Sequence, residues 1–492
     1  MRFAGTMVHN PGDIIWAVVF YSNLVSQNMA DYSLPQATST SSSSMSFSPS
    51  SSTDMEKHTS QSHRPPRANR ESDKASSEDI PPSMPTAPDP TDIPDGGLRA
   101  WAVVAGSWCC MFASMGWINC IGVFQDYYER NQLVSYSPTA IAWITSTETF
   151  MMFLGAPFFG KIFDNYGPRY LLLVGTACHV VGLMMTSLAK DYYQFFLAQA
   201  LLSALGASAL FYGCLNPIGT WFLKKRAFAF GIISAGSSLA GVILPIMISR
   251  LIPTVGFGWS MRAVTFLFLG LLIISNLTIR SRLPPKPTPV ALSQFLAPFK
   301  EVPFCLIALG SFFFFWGVFL PTNFIILQAQ HDGMSLELSQ YLLAILNAGS
   351  VLGRILPGYV GDYLGRFNVM IVTTYLTSIF ILAFWIPIHT NASLITFSAL
   401  FGFTSGSFVS MIPAIVAQVT TDMRTIGVRN GSNFFVISLA ALTGNPIAGA
   451  LVERAEGDYL YLQVFCGVTM IVGSTFFLMA RVVQVGWAWK RI

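Results

Sequence analysis

Two charged side chains lie where charge is costly. Arg354 and Glu148 each sit inside a long apolar run. An arginine at the middle of a bilayer costs about 2.5–3.5 kcal/mol on insertion scales, so it must face a wet cavity or find a partner. Its guanidinium could hold an anionic or carbonyl-bearing solute by a forked hydrogen bond. The alternative is a structural arginine bonded to backbone carbonyls or to another helix. Glu148, kept from water, is a candidate proton carrier, or else a protonated glutamate hydrogen-bonded between helices. Asn216, Asn323, Asn347 and Asn445 fit either cavity-lining amides or glue between helices. His179 reads as a packed, satisfied histidine. The run Phe312-Phe313-Phe314-Phe315-Trp316 is read as packing, with a minority of rings free to form an apolar cavity wall. The sequence has no Gly-Lys-Ser/Thr phosphate loop, no metal-spaced His/Cys cluster and no Gly-x-Ser-x-Gly elbow. The expectation is therefore no enzyme, no cofactor and no metal, with work drawn from a gradient.

The elements that must position these groups are apolar helices. The chain has 492 residues, 52% hydrophobic and 11% charged, whereas a soluble protein carries about 25% charged residues. The lipid bilayer is therefore its main solvent. From Trp101 onward, apolar runs alternate with short polar breaks, at about 101–124, 139–160, 170–189, 193–215, 227–251, 260–279, 302–327, 338–360, 368–388, 392–416, 428–450 and 459–481. Most approach the roughly 20 residues that a helix needs to cross the hydrocarbon. This predicts an all-α membrane protein of twelve transmembrane helices in two six-helix bundles. The domain plan is a disordered cytoplasmic tail over 1–94, rich in Ser, Thr and Pro, then a bundle over 95–280, a cytoplasmic loop over 281–301 and a second bundle over 302–492. Residues 1–28 fit either a start misplaced ahead of Met29 or a signal peptide. The seven cysteines all fall within or beside apolar runs and read as packing residues. The net charge of +4, without a basic run interleaved with aromatics, points away from nucleic acid. Lys and Arg concentrate on one side of the expected spans, which places both termini and the central loop in the cytoplasm.

A signature recurs at a fixed interval. Gly160-x-x-x-Asp164-x-x-Gly167 and Gly358-x-x-x-Asp362-x-x-Gly365 are 198 residues apart, and so are Arg226 and Arg424. Two markers at one offset predict a duplicated unit, as in a two-halved transporter. The glycines permit a tight turn and close helix approach. Each aspartate can sit near the positive N-terminal end of a neighbouring helix, with Lys161, Arg169 or Arg366 as charge partners. Such a latch would hold one side closed and break when the halves rock.

The segment Gly160-Lys161-Ile162-Phe163-Asp164-Asn165-Tyr166-Gly167-Pro168-Arg169 resembles the cytoplasmic loop signature of the major facilitator superfamily. Asp95-Gly96-Gly97-Leu98-Arg99-Ala100-Trp101 resembles a motif of its monocarboxylate porter family. Trp221-Phe222-Leu223-Lys224-Lys225-Arg226-Ala227, leading to Gly231, Ala235-Gly236 and Gly241, is similar to that family's fifth-helix motif. Asn119-Cys120-Ile121-Gly122-Val123-Phe124-Gln125 resembles its fungal branch. The resemblance covers residues 95 to 485 and implies alternating access to a mid-membrane site. It also implies that two groups used for proton-coupled lactate transport are absent. Asn119 stands at the position of a first-helix lysine, and Ser350 at that of an aspartate one turn before Arg354. Lactate transport is not carried over.

The expected solute-binding residues are Arg354, Asn119, Glu148, Asn347 and Asn323. The expected latch residues are Lys161, Asp164, Arg169, Arg226, Asp362, Arg366 and Arg424. The function expected is secondary transport of a small organic solute, anionic or carboxylate-like, across the plasma membrane, with protons as a candidate coupling ion. Two other readings stay open: efflux of a fungal secondary metabolite, and a nutrient sensor that keeps the fold without flux.

Overall fold

The computed structural model describes residues 93–492, apart from 286, 388–389, 488–489 and 491–492. The readings of the tail and of residues 1–28 fall outside the described residues. Every regular element among the described residues is helical. Ten runs are long and apolar enough to span a bilayer. They are α1 (Leu98–Gln132), α3 (Pro168–Thr186), α4 (Tyr192–Trp221), the run Arg226–Thr278, α7 (Val302–His331), α8 (Leu336–Leu364), α9 (Arg366–Trp385), α10 (Asn391–Gln418), a run ending at Arg454 and α12 (Leu460–Val485). The α-helical part of the run ending at Arg454, Ile426–Arg454, is α11.

Two observations restore the expected twelve. The 53-residue run Arg226–Thr278 holds a non-helical residue, Gly256, at φ 77° and ψ 164°. It divides there into α5 (226–255) and α6 (257–278). The remaining helix, α2, is made of Pro138–Leu154 and Ala156–Tyr166 on either side of Gly155. It falls short on apolarity because Thr145, Thr147, Glu148 and Thr149 dilute its middle. Expected boundaries err where polar residues stay helical beyond the hydrocarbon. The first run was expected to end near 124 but continues to Gln132, its last turn a π-helix from Tyr128 to Gln132.

Each position of the repeated signature has a distinct physical task. Its second glycine, Gly167 (φ 76°) or Gly365 (φ 101°), takes the left-handed conformation that joins one helix to the next. Pro168 then occupies the first turn of α3, where no amide hydrogen is needed. The first glycine brings two halves of the molecule into contact. A Cβ on Gly160 would run into the Gly427 carbonyl of α11, and one on Gly358 would run into the Ala227 carbonyl of α5. Two seams result, α2 against α11 and α5 against α8. Gly231 extends the second seam against the Arg354 carbonyl, and Gly431 extends the first against the Ala156 carbonyl.

These contacts correct one sequence expectation. The signatures repeat at 198 residues, yet their contact partners Ala227 and Gly427 are 200 apart, as are Gly231 and Gly431. The second unit has gained two residues before α11. Arg226 opens α5, whereas Arg424 lies in the short turn Met423–Thr425 ahead of α11. The two arginines are not structural counterparts.

Replacing Gly160 with leucine would force the α2–α11 seam apart. Overpacking of this kind costs about 1–3 kcal/mol, so Gly160→Leu should lower the unfolding temperature of the purified protein in detergent by several degrees. A melting curve that superimposes on that of the unmodified chain would contradict the close approach.

Candidate functional site

The first four N–H groups of any helix lack partners within that helix. At the start of α11, Asp164 supplies two: its Oδ1 accepts from Gly427 N–H and its Oδ2 from Val428 N–H, both at 2.8 Å. At the start of α5, Asp362 repeats the arrangement, accepting from Ala227 N–H at 3.1 Å and Phe228 N–H at 2.9 Å. Each carboxylate comes from the opposite half of the chain. Negative charge at these positions also meets the positive end of a helix dipole.

The surrounding cations divide sharply. Arg366 donates twice to Asp362, through Nε at 3.0 Å and Nη2 at 2.8 Å. Arg226 is buried and bridges the halves, donating to the Phe222 and Gly219 carbonyls near the end of α4 and to the Ala417 carbonyl near the end of α10. Those carbonyls lie at helix C-termini, where a cation is favoured. Lys161 donates to Thr288 Oγ1 in the central loop at 2.7 Å. Arg169 is exposed and lies beyond the Gly167 turn, away from Asp164. Arg424 bonds through its backbone N–H to Asp422, while its buried Nε has no hydrogen-bond partner in the protein. Asp164, Asp362, Arg226 and Arg366 therefore assemble across the halves, Lys161 ties down the loop, and Arg169 and Arg424 stand apart.

Sequence reasoning missed other parts of this region. Asp95 places Oδ1 on three successive N–H groups, those of Leu223 and Lys224 at 2.6 Å and Lys225 at 3.3 Å, in the turn before α5. Gly97, at φ 89°, then turns the chain into α1. Arg429 of α11 grips Glu301, at the end of the central loop, by two bonds of 2.8 and 2.7 Å. Those bonds hold the Glu301 carboxyl below its ordinary range.

Three of the five expected solute-binding residues converge on α5. Arg354 is buried; its Nη1 donates to the Ser234 carbonyl at 2.6 Å and to Ser237 Oγ, and its Nε to Ser350 Oγ at 3.2 Å. Asn119 Nδ2 donates to the Ser237 carbonyl at 3.0 Å. Asn119 and Asn347 both reach Gly241, whose missing side chain leaves room for their amides. Ser238 and Ser350 hydrogen-bond across the same seam at 3.0 Å.

Glu148 is elsewhere. Its Oε1 accepts from Trp117 Nε1 at 2.6 Å and its Oε2 from Gln199 Nε2 at 2.9 Å, while Tyr128 donates to Gln199 Oε1 at 2.6 Å. Gln199 lies in a π-helical stretch of α4, Phe196–Ser203. Asn323 also stands apart, donating to Asn445 at 2.8 Å. His179 is the satisfied histidine expected, with Nε2 donating to the Ala113 carbonyl at 3.2 Å and Nδ1 accepting from Ser203 Oγ at 3.0 Å. Of the aromatic run, Phe314 and Phe315 are buried, and Phe315 meets Phe153 of the first half at 5.4 Å. Among the described residues, no group of three or more His, Cys, Asp or Glu could hold a metal.

The family model for the Major Facilitator Superfamily matches residues 106–355 and 305–490. The chain is 49% identical over 406 residues to "MFS-type transporter 1" of Ophiocordyceps sp. (strain BCC 1869), covering 82% of this chain and 90% of that one. It is 46% identical over 389 residues to the "Fujikurins efflux protein" of Gibberella fujikuroi, covering 79% of this chain and 83% of that one. In fold it is similar to the crystal structure of the transporter FucP in the outward conformation, at TM-score 0.62 and 13% identity over 77% of this chain and 98% of that one. Joined with two helical halves meeting at paired glycine seams, these findings place the chain in the Major Facilitator Superfamily, as a multi-pass membrane transporter of small solutes.

Proposed function

We propose that this transporter exports a bulky, largely apolar fungal metabolite, and that it belongs to the monocarboxylate porter branch of its superfamily. The observation that carries the apolar solute is the aromatic surface where the halves meet. Phe434 of α11 stacks on Phe153 of α2 at 5.9 Å and 3°, and Phe211, Tyr212 and Phe315 close around them. Rings shared between two bodies that rock suit an apolar solute. Export itself is supported by the relative named for fujikurin efflux. Uptake of a carboxylate is less well supported. Asn119 and Ser350 replace two expected ion-handling groups, and the Arg354 guanidinium is engaged by α5.

In this reading, Asp164, Asp362, Arg226 and Arg366 form a latch on the cytoplasmic side, with both termini cytoplasmic and the protein in the plasma membrane. The latch opens as the two halves rock about the site. Arg354, Asn119 and Asn347 hold α1, α5 and α8 together in the latched state and turn toward the solute when the seam parts. Glu148 is the proposed coupling site. Both its oxygens accept hydrogen bonds, so a proton arriving on either weakens the bond to that oxygen and loosens the tie from α2 to α1 and α4.

Three outcomes test this reading. Cells lacking the chain should retain a metabolite that normal cells release, measured by mass spectrometry of cells and medium. An unchanged distribution of every metabolite would sink the export proposal. Asp362→Ala should accelerate maleimide labelling of a cysteine placed at buried Ala417, in a chain freed of its native cysteines, by about tenfold or more, given roughly 1.5–3 kcal/mol for a hydrogen bond to a charged group. An unaltered labelling rate would mean that Asp362 holds nothing closed. Glu148→Gln should leave downhill solute exchange in vesicles intact and abolish its acceleration by a pH gradient. Persistence of that acceleration would remove Glu148 from proton coupling.

A further inference from the structure

The contact between α4 and α11 contains polar atoms that the protein leaves unpaired. Asn216 and Asn430 are fully buried and share one hydrogen bond, from Asn430 Nδ2 to Asn216 Oδ1, at 2.8 Å. Asn216 Nδ2 and Asn430 Oδ1 have no partner in the protein. Tyr212, one turn before Asn216, also buries an unpartnered hydroxyl. Asn433, three residues beyond Asn430 and so on a neighbouring part of the same helix face, is fully buried with neither Nδ2 nor Oδ1 bonded. The apolar surroundings are the Phe153, Phe211 and Phe434 rings.

Buried polar side chains in folded proteins are nearly always paired. On the α5–α8 seam Arg354, Ser350, Ser237 and Ser238 bond one another, and Ser234 Oγ is the exception. The α4–α11 contact departs from the rule through neighbouring residues on two helices that belong to opposite halves. Asn433 narrows the chemistry of what would satisfy it. A primary amide with both atoms free presents a donor and an acceptor side by side, whichever way it is flipped. Its complement is another edge with an acceptor beside a donor, the pairing by which asparagine reads adenine. A cis-amide, such as a lactam, offers that edge. A carboxylate offers only acceptors.

We propose that Tyr212, Asn216, Asn430 and Asn433 form a recognition subsite for a cis-amide group of the transported solute, with the phenylalanine rings taking its apolar body. The subsite becomes accessible when α4 and α11 part on the latch side. The inference rests on the export reading and names the class of solute for it.

The test uses the full chain in detergent micelles and two probes, 6-octylpiperidin-2-one and the matching lactone, 6-octyloxan-2-one, which keeps the carbonyl and lacks the N–H. Equilibrium binding of the tritiated lactam should saturate, and the lactone should compete at least tenfold more weakly. Asn433→Leu should abolish the preference for lactam over lactone, lowering lactam affinity more than lactone affinity, and keep the unfolding temperature at or above the native value. If that variant does not fold, Asn433→Ser serves in its place. Absence of saturable lactam binding, equal affinities in the native chain, or discrimination that survives loss of Asn433 would each overturn the subsite. The export reading fails separately: a retained metabolite without an amide would overturn the subsite and leave export standing. Unchanged metabolite release alongside intact lactam discrimination would overturn export alone.

Discussion

The start of a helix near a membrane surface presents backbone N–H groups that lipid cannot satisfy. In this chain, two such starts are completed by carboxylates from the other half. Asp164 completes α11 and Asp362 completes α5, each through two backbone N–H groups. The connection is therefore part of the hydrogen-bonding of the helices themselves. Parting the halves would strip both carboxylates of these backbone donors, leaving Asp362 its Arg366, and would expose both helix starts to water at that membrane surface. In the proposed latch, that exchange of protein partners for water offsets part of the cost of opening, so that solute binding can shift the balance.

Around this shared device the two seams differ. Glycine brings α2 to α11 and α5 to α8 within backbone distance on both sides. On α5–α8, serines and Arg354 fill the remaining gaps with paired hydrogen bonds. Where α11 meets α2 and α4, aromatic rings and incompletely paired amides take their place. The repeated architecture thus supplies a common pair of close seams, and departures from the repeat give each seam its own chemistry.

The helices were legible because lipid imposes apolar runs of a fixed length, and the glycine and aspartate contacts because those residues recur at one interval. Asp362 and Asp164 lie at helix starts, as their type and spacing predict. The counterpart of Arg226 was misread, because two extra residues before α11 are invisible to a match of isolated letters; contact partners reveal the shift. Glu148 could be recognised as unusual, but its partners could not. Gln199 reaches it from a π-helical turn that no hydrophobic pattern signals. Asn216 was noted as either lining or glue. Asn430 and Asn433 escaped notice because a single asparagine in an apolar run carries no hint of whether its amide will be paired. The distinction emerges only when two distant helices are placed face to face.

The central claim is that the latch carboxylates hold one side closed while the other can open. Pulsed electron spin resonance on the chain in nanodiscs tests it most directly, with labels in two separate pairs. One pair, at Tyr166 and Tyr363, lies near the latch, and the other, at Leu188 and Leu460, lies at the opposite ends of the bundles; all four positions are exposed. When Asp164 and Asp362 are both changed to asparagine, the account predicts a longer distance for the first pair and a shorter one for the second. Distances that stay fixed, or that lengthen together, would contradict it.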